Sequence, residues 1–473
     1  LTINRDFTNN GTFTILSDAT SSGSFILGGG YSGTSNVSYQ RFLTTDWHSI
    51  SSPVNGQNIN TFKDDVARSG NKYAIAPYNN ALATNRHVYY TDNTGANDID
   101  AAGFFTKGKG YSIKKSTAGT LTFSGTLHTD NVPFSIADNS SGVGNKWNLI
   151  GNPFTSYLSL NTDADATNNF LTLNSTKLNP TRIAVYLWNA KEGKYDVLNH
   201  ATGSAKYIAP GQAFFVEAAN SGATLTIDKV LQKHQTGNLF SKNATTTPTI
   251  KLSISDDEKT AATEIKYIEN TTAGLDLGYD AGTFSENTNS LAIYTHLVAE
   301  STGTNFALQC LPNSDLENNI IPIGISVDAN TEITISAASL HLPENISVYL
   351  EDKQTNTFIN LNDTNYTLSI TENTNGIGRF FLHSSSSVLS TESNFTSENI
   401  SIYTTDKNNL RVVGIQNGNA KLTLFNLLGK EILKTNFIGK SVNDVQLPNL
   451  KTGIYLVLLD TEKGKKTQKI IIE

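Results

Sequence analysis

A tryptophan followed by a short alternating run and then by proline occurs twice, a hundred residues apart: WHSISSPVNG from Trp47 and WNLIGNPFTS from Trp147. Two further landmarks follow each tryptophan in the same order. KYAIAPYN, around Tyr73, is answered by RIAVYLWN, around Val185; GKGYSIKKSTAGTLTF, from Gly108 to Phe123, is answered by GQAFFVEAANSGATLTI, from Gly211 to Ile227, with one residue inserted. Three ordered matches constrain the fold more than any single motif, because whatever one copy forms the other must form too. Each copy reads as a strand, a Gly or Ala position permitting close backbone approach, an alternating strand, a Gly turn at Gly119 or Gly222, and a return strand. The duplication predicts two β-sandwich-like repeats, at residues 36–140 and 141–245.

Composition places the rest of the chain in the same class. Charged residues make up 16% and hydrophobic residues 38%, and 35 glycines among abundant Asn, Thr and Ser favour short strands and polar turns over long helices. At 473 residues the chain exceeds one ordinary core, so the expectation is an all-β protein of tandem β-sandwich or jelly-roll domains. In residues 1–35, apolar clusters at Ile3, Phe13 to Ile15 and Phe25 to Leu27 recur between Gly, Asn and Ser turns. That spacing suits the end of a β-solenoid and equally an ordinary meander. Residues 246–383 hold eight strand-like runs, from TIKLSISD to GRFFLH, spaced as in a β-sandwich or jelly roll. A Ser-rich polar stretch, residues 384–397, reads as a linker to a last unit at 398–473.

In that last unit the runs ISIY, LRVVGI, AKLTLFNLLG, KEILKTN, NDVQLPNL, GIYLVLLD and KTQKIII predict a small seven-stranded Ig-like sandwich, with a hairpin about Gly429. Ile454, Leu456 and Leu458 alternate with Tyr455, Val457 and Leu459, so both faces of one strand are apolar. Such a strand is either buried centrally or has a second face that awaits a partner. The chain closes on Ile470, Ile471 and Ile472 where most domains fray, and a final strand offers its edge or end to a receptor.

These residues resemble a known family. NLLGKEI with Gly429, LKTGIYLV with Leu450, Gly453, Tyr455 and Val457, and a last strand whose Lys466 and Lys469 lead into Ile470, Ile471 and Ile472 together resemble the type A C-terminal sorting domain of the type IX secretion system of Bacteroidota. The likeness covers residues 398–473 and departs at the opening, where NISIY runs into TTDKNN instead of the usual Asn-Pro. It implies that these ten residues are read by the outer-membrane translocon and its shuttle protein. The cargo then passes through the periplasm and is secreted or held at the cell surface. GNPF and PGQAFFV in the duplicated block also look like modules common in large secreted proteins of the same bacteria.

Other chemistry finds little support. A net charge of −7 and a pI near 5.7 give no basic face for nucleic acid. No apolar run reaches the roughly 20 residues of a membrane helix. Cys310 is alone, which forbids an internal disulfide or a CxxC site, and its apolar strand FALQCLP suits a packed thiol. The chain lacks Met and opens in mid-pattern, so the expectation is a piece of a longer precursor with any export signal upstream. Eight histidines from His48 to His383 show no metal-clamp spacing. Carboxylate-rich turns at Asp98 and Asp100, Asp163 and Asp165, and Asp276 and Asp280 leave calcium as the one cofactor open, although turns use these residues anyway. There is no GxSxG elbow, and the GKS at Gly439 to Ser441 lacks the upstream glycine of a phosphate loop. Tyr89, Tyr90, Phe104 and Phe105 are candidates for stacking on sugars. The reading is of no catalytic and no metal residues in a non-enzymatic cell-surface cargo, an adhesin or gliding-associated protein. The alternatives are the C-terminal part of a polysaccharide-degrading enzyme and a carbohydrate-binding module within residues 36–245.

Overall fold

The computed structural model describes residues 1–235, 247–284, 291–317, 319–386, 400–406, 408–415, 418–426, 428–440, 442–461 and 464–472. It is nearly all β, and Phe170–Asn174 is the one α-helix among the described residues. At the start, Thr2–Ile3 pairs with Ile26–Leu27, Phe7–Thr8 with Tyr31–Ser32, and Phe13–Ile15 with the first half of Val37–Leu43. All three pairings are parallel and all join residues 24 apart. A meander would pair antiparallel neighbours, whereas equal parallel offsets mean stacked solenoid coils. Between the coils Phe7 lies 5.2 Å from Phe13, 5.7 Å from Phe25 and 6.0 Å from Tyr31, ring centre to ring centre. Gly33 has φ 121°, and a Cβ there would stand 2.1 Å from the Asn9 carbonyl oxygen, so glycine is what lets one coil lie on the next.

The two copies share a strand order. In the first, Ile75–Pro77 pairs with Tyr111–Lys114, which pairs with Trp47–Ile50. In the second, Val185–Asn189 pairs with Ala213–Glu217, which pairs with Trp147–Gly151, and Lys194–Leu198 is added outside. The flanking pairs correspond as well: Val37–Leu43 with Gly119–Gly125, and Val132–Ile136 with Ala223–Ile227. Each copy therefore begins one strand before its tryptophan. The expected boundary between residues 140 and 141 cut Val132–Ile136 from the copy it pairs with, because the visible landmarks start at the tryptophan.

Coil and copies form one compact unit, Leu1–Thr245, which also takes in Leu277–Glu286. The sequence reading assigned the latter to the following block. What draws this segment in is aromatic burial with matched backbone bonds. The Phe284 ring lies 4.3 Å from Tyr195, 4.5 Å from Trp147 and 5.2 Å from Phe215. The Tyr186 hydroxyl donates to the Gly282 carbonyl at 2.6 Å, Arg182 Nε to that of Thr283 at 3.1 Å, and the His200 N–H to that of Gly278 at 3.0 Å.

The second unit is Thr246–Asp276 with Asn287–Glu473. Its larger part is a single ten-strand path that runs from Thr357–Asn360 through Ser347–Asp352, Thr374–Ser385 and Ile320–Val327 to Thr249–Ser255, Thr331–Leu340 and Tyr366–Ile370. Val348, Leu350 and Phe380 near one end share a core with Ile250, Leu252, Ile254, Ile333 and Ile370 near the other, so the sheet curls around one interior. The strand Thr374–Ser385 takes up the first two residues of the expected linker, and the linker from residue 387 onward lies outside the described residues.

Candidate functional site

The seven strands expected in the terminal unit are β1 (Ser401–Asp406), β2 (Asn409–Val413), β3 (Asn419–Asn426), β4 (Glu431–Ile438), β5 (Val442–Gln446), β6 (Gly453–Thr461) and β7 (Gly464–Ile472). They form two sheets, β1-β2-β5 and β4-β3-β6-β7. The alternation of each strand turns one face inward, and Ile402, Leu410, Val412, Leu422, Leu424, Val457 and Leu459 fill the space between. Ion pairing holds the smaller sheet from outside: Arg411 grips Asp444 across β2 and β5 with two bonds, at 2.7 and 2.8 Å.

The chain end is part of this core. Ile470 and Ile472 are 5% and 2% exposed, opposite Tyr455 and Gly453 on β6, whereas Ile471 turns outward opposite Ile454. Tyr455 is buried and its hydroxyl donates to the Lys451 carbonyl at 2.9 Å, which ties β6 to the loop that precedes it. Val457 is fully buried and Leu450 packs against the same cluster. Lys466 and Lys469 sit on β7 opposite Leu459 and Leu456. Gly429 lies apart, at the tip of the β3–β4 hairpin with φ 77°, where only glycine is unstrained. The Asn426 side chain braces that tip by accepting from the N–H groups of Leu428 and Lys430.

The ten residues proposed for recognition thus divide. Leu450, Tyr455, Val457, Ile470 and Ile472 set the shape of the folded domain from inside. Gly429, Lys469 and Ile471 lie toward its surface, Lys466 is half-buried opposite Leu459, and Gly453 opens β6. Sequence reasoning missed Leu428, which is 93% exposed beside Gly429, and Phe425, half-buried outside the core cluster. An apolar residue next to a turn glycine was the available signal for the first.

On its other side the domain meets the preceding block. The Tyr403 ring on β1 occupies the space a side chain at Gly378 would need, since a Cβ there would come within 1.8 Å of the ring. Burial pushes the Tyr403 phenol up to about 12. Beside it, a cleft of about 510 Å³ is lined by Tyr294, Asn375, Tyr403, Lys469 and Ile471.

Charge separates this domain from the rest. Residues 394–473 carry eleven Lys and Arg against seven Asp and Glu, whereas residues 1–393 carry 24 against 35.

Several of the remaining candidates have partners elsewhere in the chain. Asp165 is held well below the ordinary carboxylate range by the Lys233 ammonium and the N–H groups of Asn168 and Thr167. Asp100 pairs with Lys63 and Asp276 accepts from the Thr272 N–H. Among the described residues no three His, Cys, Asp or Glu come together to hold an ion. Cys310 is buried. Tyr89 lies against Trp47 at 5.8 Å, Phe105 is in the core and Phe104 is 63% exposed.

Two family models match the chain. Residues 1–383 match a domain of unknown function, DUF8693, and residues 394–473 match the secretion system C-terminal sorting domain. No curated protein matches.

Proposed function

We propose that this chain, which belongs to the DUF8693 family, is a non-catalytic surface protein of a Bacteroidota cell, an adhesin or gliding-associated protein. Its route is given by its last domain: it is a cargo of the type IX secretion system, exported across the outer membrane to the cell surface or beyond. The single observation that carries the reading is that sorting domain, folded so that the chain end lies in its core. An address of this kind is a shape, which fits a machine that handles cargo after it has folded. The non-catalytic reading is supported by two adjacent buried carboxylates that the chain itself engages. Asp352, fully buried, is engaged by Arg379 and the Tyr366 hydroxyl, and Glu351 by Lys353 and His383.

Deleting residues 398–473 tests the reading. The truncated chain is expected to stay folded and to accumulate in the periplasm, with surface signal at background by antibody labelling of intact cells. Normal display of the truncated chain would overturn it.

A further inference from the structure

Four of the ten expected recognition residues are buried and Leu450 is half-buried, which raises the question of which surface a partner touches. Strand pairing sets Phe425 opposite Leu456, Leu456 opposite Lys469, Leu458 opposite Thr423 and Thr467, and Ile454 opposite Ile471. Residues directly opposite share a face. Phe425, Ile454, Leu456, Leu458 and Ile471 therefore form one apolar strip on the face of β3-β6-β7 turned away from Leu422, Leu424 and Val457. None of the five belongs to the domain's core cluster, and Leu456 is 42% exposed although β6 is an interior strand of its sheet. An interior strand with apolar residues on both faces normally has both faces covered. Here only one is covered by the domain's own chain.

We propose that this strip is the docking face for the shuttle protein of the outer-membrane export machinery, and that the surface it meets there is apolar with a rim of carboxylates. The proposal rests on the cargo reading above and specifies which side chains the machinery touches. Charge supplies the argument for the occupant. Lys421 and Lys469 border the strip, and neither forms an ion pair with a described residue. With eleven cationic against seven anionic residues in the domain and the reverse bias in residues 1–393, an acidic rim attracts the tail and repels the body. Encounter is thereby oriented before any apolar contact forms. At its β7 end the strip runs into the cleft lined by Lys469 and Ile471, which gives an apolar or aromatic side chain of the partner somewhere to seat.

The test uses the full chain with Leu456→Glu and, separately, Lys469→Glu, measuring affinity for the purified shuttle protein and display on intact cells. Placing a charge in the strip is expected to weaken binding about 30-fold or more, and reversing Lys469 about 5-fold with a shallower dependence on salt. Both side chains lie outside the core, and resistance of the terminal domain to protease checks that it has folded. Should Leu456→Glu fail that check, Leu456→Thr keeps a strand-favouring residue and carries the same test, with about 10-fold weakening expected. Unchanged affinity and display in the folded variants would overturn the docking face. If the 398–473 deletion still blocks export in that case, the cargo reading survives; if that deletion also leaves display normal, the cargo reading itself has failed.

Discussion

The two copies of the duplicated block agree on one face of their sheet and differ on the other. Inward, Ile50, Ile75, Tyr111 and Ile113 of the first copy correspond to Ile150, Val185, Phe214 and Val216 of the second, all buried. Outward, Trp147, Tyr186, Trp188 and Phe215 of the second copy stand where the first has Trp47, Ala76, Tyr78 and Ser112. The second copy thus has a broad aromatic face, and Phe284 from a distant part of the chain covers it. The first copy has a smaller and more polar one, covered partly from its own loop, where Ser112 Oγ is 3.0 Å from His87 Nδ1 and Trp47 packs on Tyr89, and partly by the second copy, whose Phe215 ring lies 4.8 Å from Tyr78. Core residues are held in common because each copy needs an interior. The opposite face is free to acquire different cover, and the cover fixes how much of each tryptophan is lost from water.

Substitution at the paired tryptophans sharpens this comparison most. Trp147 is 1% exposed, so Trp147→Ala is expected to cost about 3–5 kcal/mol. Trp47 is only half-buried, and Trp47→Ala should cost about 1–2 kcal/mol. All three tryptophans, Trp47, Trp147 and Trp188, lie in the first unit, so their fluorescence during denaturant unfolding follows that unit alone. Equal losses would break the comparison. Next in size, Phe284→Ala removes the ring over Trp147 and Tyr195 and is expected to cost about 2–3 kcal/mol in the same transition. An unchanged transition of the first unit would mean that the segment does not stabilise the aromatic face.

How much of this was visible beforehand depends on the range of the interaction. The duplication, the all-β class and the seven terminal strands follow from local alternation and turn residues, and all were legible. Direction of pairing was not. The coil at residues 1–43 differs from a meander only in which strands meet, and Phe13 reads the same whether its neighbour is parallel or antiparallel. The destination of residues 277–284 depends on the aromatic face that Tyr186, Tyr195 and Phe215 present to Phe284, which is settled far back in the chain. In the terminal domain, Ile454, Leu456 and Leu458 alternate with equally apolar neighbours, so which set faces water was undetermined until the partner sheet was in place. Ser51 and Gly151, at the same position in the two copies, make the point in miniature: a Cβ at Gly151 would stand 2.3 Å from Ser51 Cβ, a reason for glycine that no single copy contains.

The smallest expected effect separates the copies by pH. The residue after the tryptophan is His48 in the first copy and Asn148 in the second. Burial, and then the nearby Arg41 guanidinium, push the His48 imidazole down to about 4, against about 6.5 in an unfolded chain. Between those values the unfolded state binds the proton and the folded state does not, so the stability from keeping His48 neutral is present above about pH 6.5 and is lost as pH falls toward 4. Since the ring is partly open to solvent, the loss by pH 4.5 is roughly 1–2 kcal/mol. Asn148 does not titrate; its amide accepts from the Ala137 N–H at 2.9 Å and donates to the Ala137 carbonyl at 3.0 Å. His128, also pushed down to about 4 by burial, adds its own acid sensitivity to the wild-type curve, so the diagnostic quantity is a difference. His48→Asn, which imports the second copy's residue, should leave stability at pH 7.5 within about 0.5 kcal/mol of wild type and make the variant relatively more stable below pH 5.5. Parallel stability curves for the two proteins from pH 7.5 to 4.5 would show that His48 is protonated alike in both states, and that the copies do not differ in this respect.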